Sequence, residues 1–452
     1  MPARVLIFTA SVGEGHDLPA RTLADQLRAE EPGAEVRIVD GLAAMGRVIV
    51  AISEDGPRVF FYRAPWFWDV GFWLVAGCPL TRSLAKWLLA RLGSRGLERV
   101  LSEFDPDIVV STWPGSTEVL AALRRRGRLR VPAVAAVTDI AALHYWAARG
   151  IDLHLVTQPE AIPEVERIAG PGTKTVCVHG LTAPEFIQPR APAEARRALR
   201  LPASGKLVLV SGGGWGVGDL EGGVATALGL PDVEVIALCG RNAVLAAQLR
   251  REFRGERRVR VEGFTDRMGD WLAAADALIH STGGLTVLEA HIRGCPVVSY
   301  GFSAGHLRAN NAAFEHFGLA EVARNEHELE SVLRHVTRER RPPDPSFASL
   351  PSIASRALSV RPRVRQQPVW RLRTSRVAAT VSLAFIAVAL LVGVSLAADW
   401  LTPYRNVVKV TKPISSRIHF GSDADQSAAS QAQASSTREA VAQKAATAPA
   451  TP

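Results

Sequence analysis

The stretch "ALIHSTGGLTVLEAHIRGCPVVSY", residues 277–300, decides the fold. Ala277 to His280 has the length of a buried strand, and a turn of small residues, Ser281, Thr282, Gly283 and Gly284, follows at once. From Leu285 the apolar residues return at helical spacing until Gly294 stops the run, and Val297 to Tyr300 begins another strand. Strand, tight turn, helix and strand make the βαβ unit of a parallel sheet. Such a turn gathers backbone N–H groups at a helix N-terminus, where the dipole favours an anion such as a diphosphate. Glu289 lies one turn further in, where a carboxylate can accept both hydroxyls of a ribose. The bare pattern equally describes an ordinary strand-to-helix turn with a solvated glutamate.

Working outward, the same alternation fills most of the chain. Val5 to Thr9, Val36 to Val39, Ile108 to Ser111, Ala133 to Thr138 and Leu153 to Thr157 read as strands, with amphipathic stretches such as Leu18 to Glu30 and Glu118 to Arg126 between them. A proline-rich passage at 182–205 interrupts the pattern and reads as a linker. Strands resume at Leu207 to Ser211, Val233 to Cys239, Val259 to Glu262, Ala277 to His280 and Val297 to Tyr300. The expectation is an α/β chain with two Rossmann-like, doubly wound domains facing a cleft, so that a ligand between them meets the carboxyl ends of both sheets. The boundaries are an N-terminal domain at 1–183, a linker at 184–205 and a second domain at 206–338. A basic, proline-rich tether follows at 339–376, then a transmembrane helix at 377–398 and an extracytoplasmic, largely disordered tail at 399–452.

The transmembrane expectation rests on "VAATVSLAFIAVALLVGVSLAA", Val377 to Ala398, which is uncharged and, at about 20 residues, long enough to span a bilayer. Arg361, Arg363, Arg365, Arg371, Arg373 and Arg376 precede it, while Asp399, Trp400 and Tyr404 follow. The positive-inside rule then leaves the folded domains in the cytoplasm and the tail outside a single-pass cell-membrane protein. The opening residues offer too short an apolar run for a secretory signal.

The 452 residues are 47% apolar and carry a net charge of +9, nearly all of it from arginine, which favours anionic partners. The clusters Arg124 to Arg130 and Arg250 to Arg260 come with no recognisable nucleic-acid module, so anionic lipid or a plain solvated helix face accounts for them better. Cys78, Cys177, Cys239 and Cys295 lie far apart and form no C-x-x-C pair, which reads as reduced core thiols.

Other strand ends carry chemistry as well. "TASVGEGHDL", residues 9–18, starts a dinucleotide-type G-x-G at Gly13 and Gly15, but Leu18 stands where the third glycine belongs. "LVSGGGWGVGD" places Ser211, Gly212, Gly213 and Gly214 after a strand without the Lys-Ser/Thr of a Walker A loop. "CGRN", with Arg241, and "EGFTDRM", with Phe264, end two more.

In this order the motifs resemble the GT-B glycosyltransferases, above all the monogalactosyldiacylglycerol synthase and processive diacylglycerol glycosyltransferase group, with the lipid II GlcNAc transferase a more distant likeness. The resemblance spans residues 3–335 and includes G-x-G-H, "VTDIAALHYWAARGIDLHLV", "HSTGGLTVLEAHIRGCPVV" and "NNAAF". It implies that Phe264 holds a uracil, Glu289 the ribose, and Thr282, Gly283 and Gly284 the diphosphate, with Arg241 adding charge. His306, Asn310 and Asn311 lie where the family meets the donor sugar. Gly13, Gly15 and the Ser211 to Gly214 loop would sit against the donor, with His16 as general base, since imidazole titrates near neutral pH. Glu14 stands where the family has the middle glycine of G-G-G-H and is a second catalytic candidate; Asp139 is another acid near the cleft.

Departing UDP can be stabilised by helix N-termini and arginine, so neither metal nor cofactor is expected. Asp105 and Asp107, which straddle Pro106, read as a turn. The aromatic run at 60–92, with Trp66, Phe67, Trp68 and Trp73 and interleaved Arg63, Arg82, Lys86 and Arg91, reads as an acceptor-side surface at the membrane interface, with core packing as the alternative. The expected function is inverting transfer of a hexose from a UDP-sugar to a lipid hydroxyl, most of all diacylglycerol, at a membrane with anionic lipids and with no nucleic-acid partner. The alternatives are a polyprenyl-linked sugar transferase, a UDP-GlcNAc 2-epimerase and a non-catalytic sugar-nucleotide sensor or scaffold.

Overall fold

Val5, Leu6, Ile7 and Phe8 are all fully buried, as consecutive residues become only in a sheet covered on both faces. The computed structural model describes residues 2–11, 14–51, 70–141, 143–281, 283–301, 306–338, 340, 342–343 and 346–362. Val377 to Ala398 and the tail lie outside them, and among the described residues no helix is long and apolar enough to cross a membrane.

The first sheet contains β1 (Arg4–Thr9), β2 (Glu35–Asp40), β3 (Ile108–Ser111), β4 (Ala133–Val137), β5 (Leu153–Val156) and β6 (Thr175–Cys177). All pairings are parallel and the order is β2-β1-β3-β4-β5-β6. Its helices are α1 (Glu14–Glu30), α2 (Gly41–Met45), α3 (Arg47–Val50), α4 (Pro79–Phe104), α5 (Pro114–Arg125), α6 (Leu143–Trp146) and α7 (Ile162–Ala169). Val5 and Ile7 pack with Leu23 and Leu27 of α1 on one face, while Leu6 and Phe8 pack with Leu97 of α4 and Val119 of α5 on the other.

After α8 (Pro192–Leu199), the second sheet takes β7 (Lys206–Ser211), β8 (Val233–Leu238), β9 (Val259–Glu262), β10 (Ala277–His280), β11 (Val297–Ser299) and β12 (Glu321–Val322). These are also parallel, in the order β12-β11-β10-β7-β8-β9. The accompanying helices are α9 (Leu220–Leu228), α10 (Ala243–Glu252), α11 (Met268–Ala274), α12 (Gly284–Ile292), α13 (His306–Phe317) and α14 (Glu326–Val336). Leu207 and Leu209 face α11 and α12, and Val208 and Val210 face α9, α10 and α14, so this sheet too is doubly wound.

Two stretches differ from the sequence reading. The presumed linker 184–205 contains α8, whose Ala195 and Leu199 are buried with α11, and whose Arg196 pairs with Asp276 at 3.0 Å. Pro192 begins α8 at a position where its missing N–H costs nothing, so a residue taken as a breaker is an initiator. The presumed tether 339–376 carries α15 (Ser346–Ser349) and α16 (Ile353–Ser359), with Phe347, Ile353, Ala354 and Ala357 buried. α16 packs on the α1 face of the first sheet. His179 N–H donates to Pro351 at 3.1 Å and Ile353 N–H returns to His179 at 3.0 Å, while Arg361 pairs with Glu31 at 3.0 Å. The chain thus returns from the second sheet to close on the first. Ile353→Ala, which empties a fully buried site, is expected to cost about 3 kcal/mol, measured as a lower urea midpoint at unchanged m-value.

Candidate functional site

In an open parallel sheet, ligands meet the carboxyl ends of the strands where the winding direction reverses. Those points are β1/β3 in the first sheet and β7/β10 in the second. The first holds His16 and the second holds the Ser211 and Ser281 turns.

The helix after β1 starts at Glu14, earlier than the pattern from Leu18 indicated, so His16 stands in its first turn. Its Nδ1 lies 2.9 Å from the carbonyl oxygen of Thr112, just beyond β3, and the Thr112 hydroxyl donates to the His16 carbonyl at 3.1 Å. A carbonyl only accepts, so Nδ1 carries the proton and Nε2 is the basic nitrogen. The Trp146 ring lies 6.0 Å from the imidazole, and Asp17 accepts the Thr9 hydroxyl at 2.9 Å. Glu14 and Gly15 belong to the same turn of α1, whereas Gly13 lies outside the described residues.

The loops at the second switch point are interlocked by close backbone approach. The Ser211 hydroxyl accepts the Gly213 N–H at 3.2 Å, and the buried His280 ring meets the Ser211 carbonyl at 3.0 Å. Burial lowers His280 to a pKa of about 4, so it is neutral and donates from Nδ1. Gly218 has φ +110°, and a Cβ there would stand 2.1 Å from the Ser281 hydroxyl oxygen. Gly240 has φ +57° and packs on the Gly213 and Gly214 carbonyls, and the Arg241 N–H donates to Gly214 at 2.9 Å. The Arg241 guanidinium stacks 3.9 Å from the centre of the Phe264 ring, which is 54% exposed. Arg241 and Phe264 therefore form one cationic platform at the sheet edge.

Gly283 caps α12 and Gly284 is its first residue; Thr282 lies outside the described residues. Leu285 packs into the α1-side cluster of the first sheet, and Ile140, after β4, packs into the second sheet's core. Glu289 is buried on α12, where desolvation and the nearby Glu185 carboxylate push its pKa to about 8 against the pull of Arg293. At neutral pH it is a carboxylic acid, not the carboxylate the sequence suggested. Asn310 of α13 is 1% exposed, and neither polar side-chain atom has a hydrogen-bond partner among the described residues. Asn311 instead accepts the Ser299 hydroxyl at 2.6 Å, which ties it to β11. His306 opens α13.

Of the residues expected at an acceptor surface, Trp66, Phe67 and Trp68 lie outside the described residues. Trp73 sits in a π-helical turn, Trp73–Gly77, and is 57% exposed, with Val75, Leu80, Leu84 and Trp87 also exposed around it. Among the described residues no cluster of His, Cys, Asp and Glu is arranged to hold a metal ion. Sequence reasoning missed Thr112, which acts through its backbone carbonyl and so has no side-chain signature, and Glu185, which meets Glu289 only in the fold.

The family model for monogalactosyldiacylglycerol (MGDG) synthase matches residues 70–182. Monogalactosyldiacylglycerol synthase 1, chloroplastic, of Arabidopsis thaliana is 29% identical over 256 residues, which is 53% of this chain and 47% of that protein. A processive diacylglycerol beta-glucosyltransferase of Bacillus subtilis (strain 168) is 26% identical over 346 residues, 73% of this chain and 86% of that one. The chain is a relative of these diacylglycerol glycosyltransferases. In structure, spinosyn rhamnosyltransferase SpnG aligns over 79% of this chain and 99% of its own at a TM-score of 0.51 and 14% identity, a likeness of GT-B fold. The family match covers β3 to β6 and α4, the half that carries Thr112, Tyr145 and the exposed apolar turn.

Glu289 gives a pH signature. Between its ordinary 4.5 and about 8, the folded protein holds a proton that the unfolded chain has released. Stability therefore falls as pH rises through that window. Glu289→Gln is expected to flatten this dependence, measured by urea unfolding at half-unit steps from pH 5 to 8.

Proposed function

We propose that the chain is a membrane-anchored, inverting glycosyltransferase that moves a hexose from a UDP-sugar to a lipid hydroxyl, diacylglycerol above all. The observation that carries this reading is His16 at the first switch point, its Nδ1–H engaged by the Thr112 carbonyl, in a chain whose relatives are named for glycosyl transfer to diacylglycerol. In this mechanism the acceptor oxygen attacks the anomeric carbon while His16 Nε2 takes its proton. The new C–O bond forms on the face opposite the departing phosphate oxygen, and UDP leaves with the electron pair. The N-terminus of α12, at Gly283 and Gly284, and the Arg241 guanidinium would offset the charge that grows on the diphosphate.

The donor pocket follows from the same reading. Uracil would stack at Phe264, the ribose hydroxyls would reach Glu289, and the Ser211 to Gly214 loop would lie along the nucleotide. Asn310, buried with its amide unmatched among the described residues, suits the hydroxyls of the transferred sugar. The lipid would enter past Trp73, Leu80, Leu84 and Trp87, whose exposed apolar surface is bordered by Arg82 and Lys86 and fits an interface with anionic lipid. Val377 to Ala398 would anchor the chain, with both sheets on the cytoplasmic side.

The test is transfer by the full-length protein in bilayers, with labelled UDP-sugars offered against diacylglycerol and a polyprenyl phosphate, and His16→Ala alongside. A labelled diacylglycerol glycoside from one donor is expected, falling by roughly 10²–10⁴ in His16→Ala while UDP affinity holds. A polyprenyl product, or no lipid product from any pair, would overturn the reading.

A further inference from the structure

The exposed apolar turn on the acceptor side is held in an unusual way. A helix end leaves its last carbonyls without partners inside the helix. Around Trp73–Gly77 four consecutive carbonyls are each met by a different donor: Trp73 by the Cys78 N–H at 2.9 Å, Leu74 by the Thr81 hydroxyl, Val75 by the Tyr145 hydroxyl at 2.8 Å, and Ala76 by the Arg82 guanidinium at 2.9 Å. Cys78, Thr81 and Arg82 belong to the residues that immediately follow the turn. Tyr145 lies 70 residues away, on α6 beyond the carboxyl end of β4. It is the donor that ties the turn to the sheet.

The surroundings of Tyr145 suit that task. Its ring is buried, the Lys86 ammonium stands 5.3 Å from the ring centre, and Lys86 is itself paired with the buried Glu118 at 2.8 Å. Burial raises the phenol far above neutral, so the hydroxyl remains a donor across the working pH range. The next residue, Trp146, is fully buried beside the His16 imidazole. One short helix thus fixes the apolar turn with one residue and borders the histidine with the next.

We propose that Tyr145 is a positioning residue for the acceptor: its hydroxyl holds the Trp73–Gly77 turn in register with the cleft, so that a lipid entering over the turn brings its hydroxyl to His16. The inference rests on the lipid-acceptor reading above. It predicts a defect confined to the acceptor, because the described partners of Tyr145 and of the turn, Val75, Cys78, Thr81, Arg82 and Lys86, all lie outside the donor loops.

The experiment compares full-length wild type with Tyr145→Phe in phosphatidylglycerol vesicles of graded diacylglycerol content. Half-saturating diacylglycerol is expected to rise about five-fold, the size of one neutral hydrogen bond, with the UDP-sugar KM unchanged. Amide exchange in residues 70–82 is expected to quicken while that of the second sheet is unaltered. An unchanged acceptor dependence, or acceptor and donor constants moving together, overturns the proposal. If wild type transfers no sugar to lipid, the proposed function fails and the acceptor role of Tyr145 falls with it; unaltered protection of 70–82 in Tyr145→Phe would separately overturn the tie between Tyr145 and the turn.

Discussion

The close approach of Gly284 to the end of β4 is the constraint on which the site depends. A Cβ at Gly284 would lie 3.5 Å from the Thr138 carbonyl and 3.7 Å from the Asp139 carboxylate, so the first turn of α12 is seated directly against the first sheet's edge. Leu285 and Ile140 complete the contact by exchanging apolar side chains between the two cores. This apposition brings the α12 N-terminus to the first sheet's carboxyl edge, the edge that carries His16.

Within this frame the ionisable groups are set by burial. His280 is neutral because its ring is enclosed, and it can therefore hold the Ser211 carbonyl through a single donated proton. Glu289 is neutral because it is enclosed next to Glu185, with Arg293 committed to the backbone carbonyls of Gln188 and Glu185 at 2.6 and 2.7 Å. A neutral carboxyl can donate one hydrogen bond and accept others. His16 is only partly buried, and the Thr112 carbonyl across the switch point meets its Nδ1.

The exposed face around Trp73 obeys another rule. Exposed apolar residues on α4 and the preceding turn are costly in water and imply a partner surface. The four carbonyls from Trp73 to Ala76 beneath them are nevertheless each met by a donor. The result is a greasy face on a rigid support, linked through α6 to the cleft.

Much of this was legible in the residues. Ten strands could be read to within about a residue, because buried parallel strands are short apolar runs that end in small residues. β6 and β12 escaped because they are sheet-edge strands of three and two residues, too short to show a period. α8 and α16 escaped because proline and arginine around them mimic a linker, and only the cores they enter reveal them as helices. The sequence by itself determined the two doubly wound halves, the glycine turns and the candidate base, since each depends on local pattern and residue chemistry. The tautomer of His16, the protonation of Glu289, the Arg241–Phe264 stack and the tie from Tyr145 to Val75 were decided by tertiary structure alone. Each is a contact between residues far apart in the chain, and neither the distance nor the loss of water that gives it force exists until both sheets are packed.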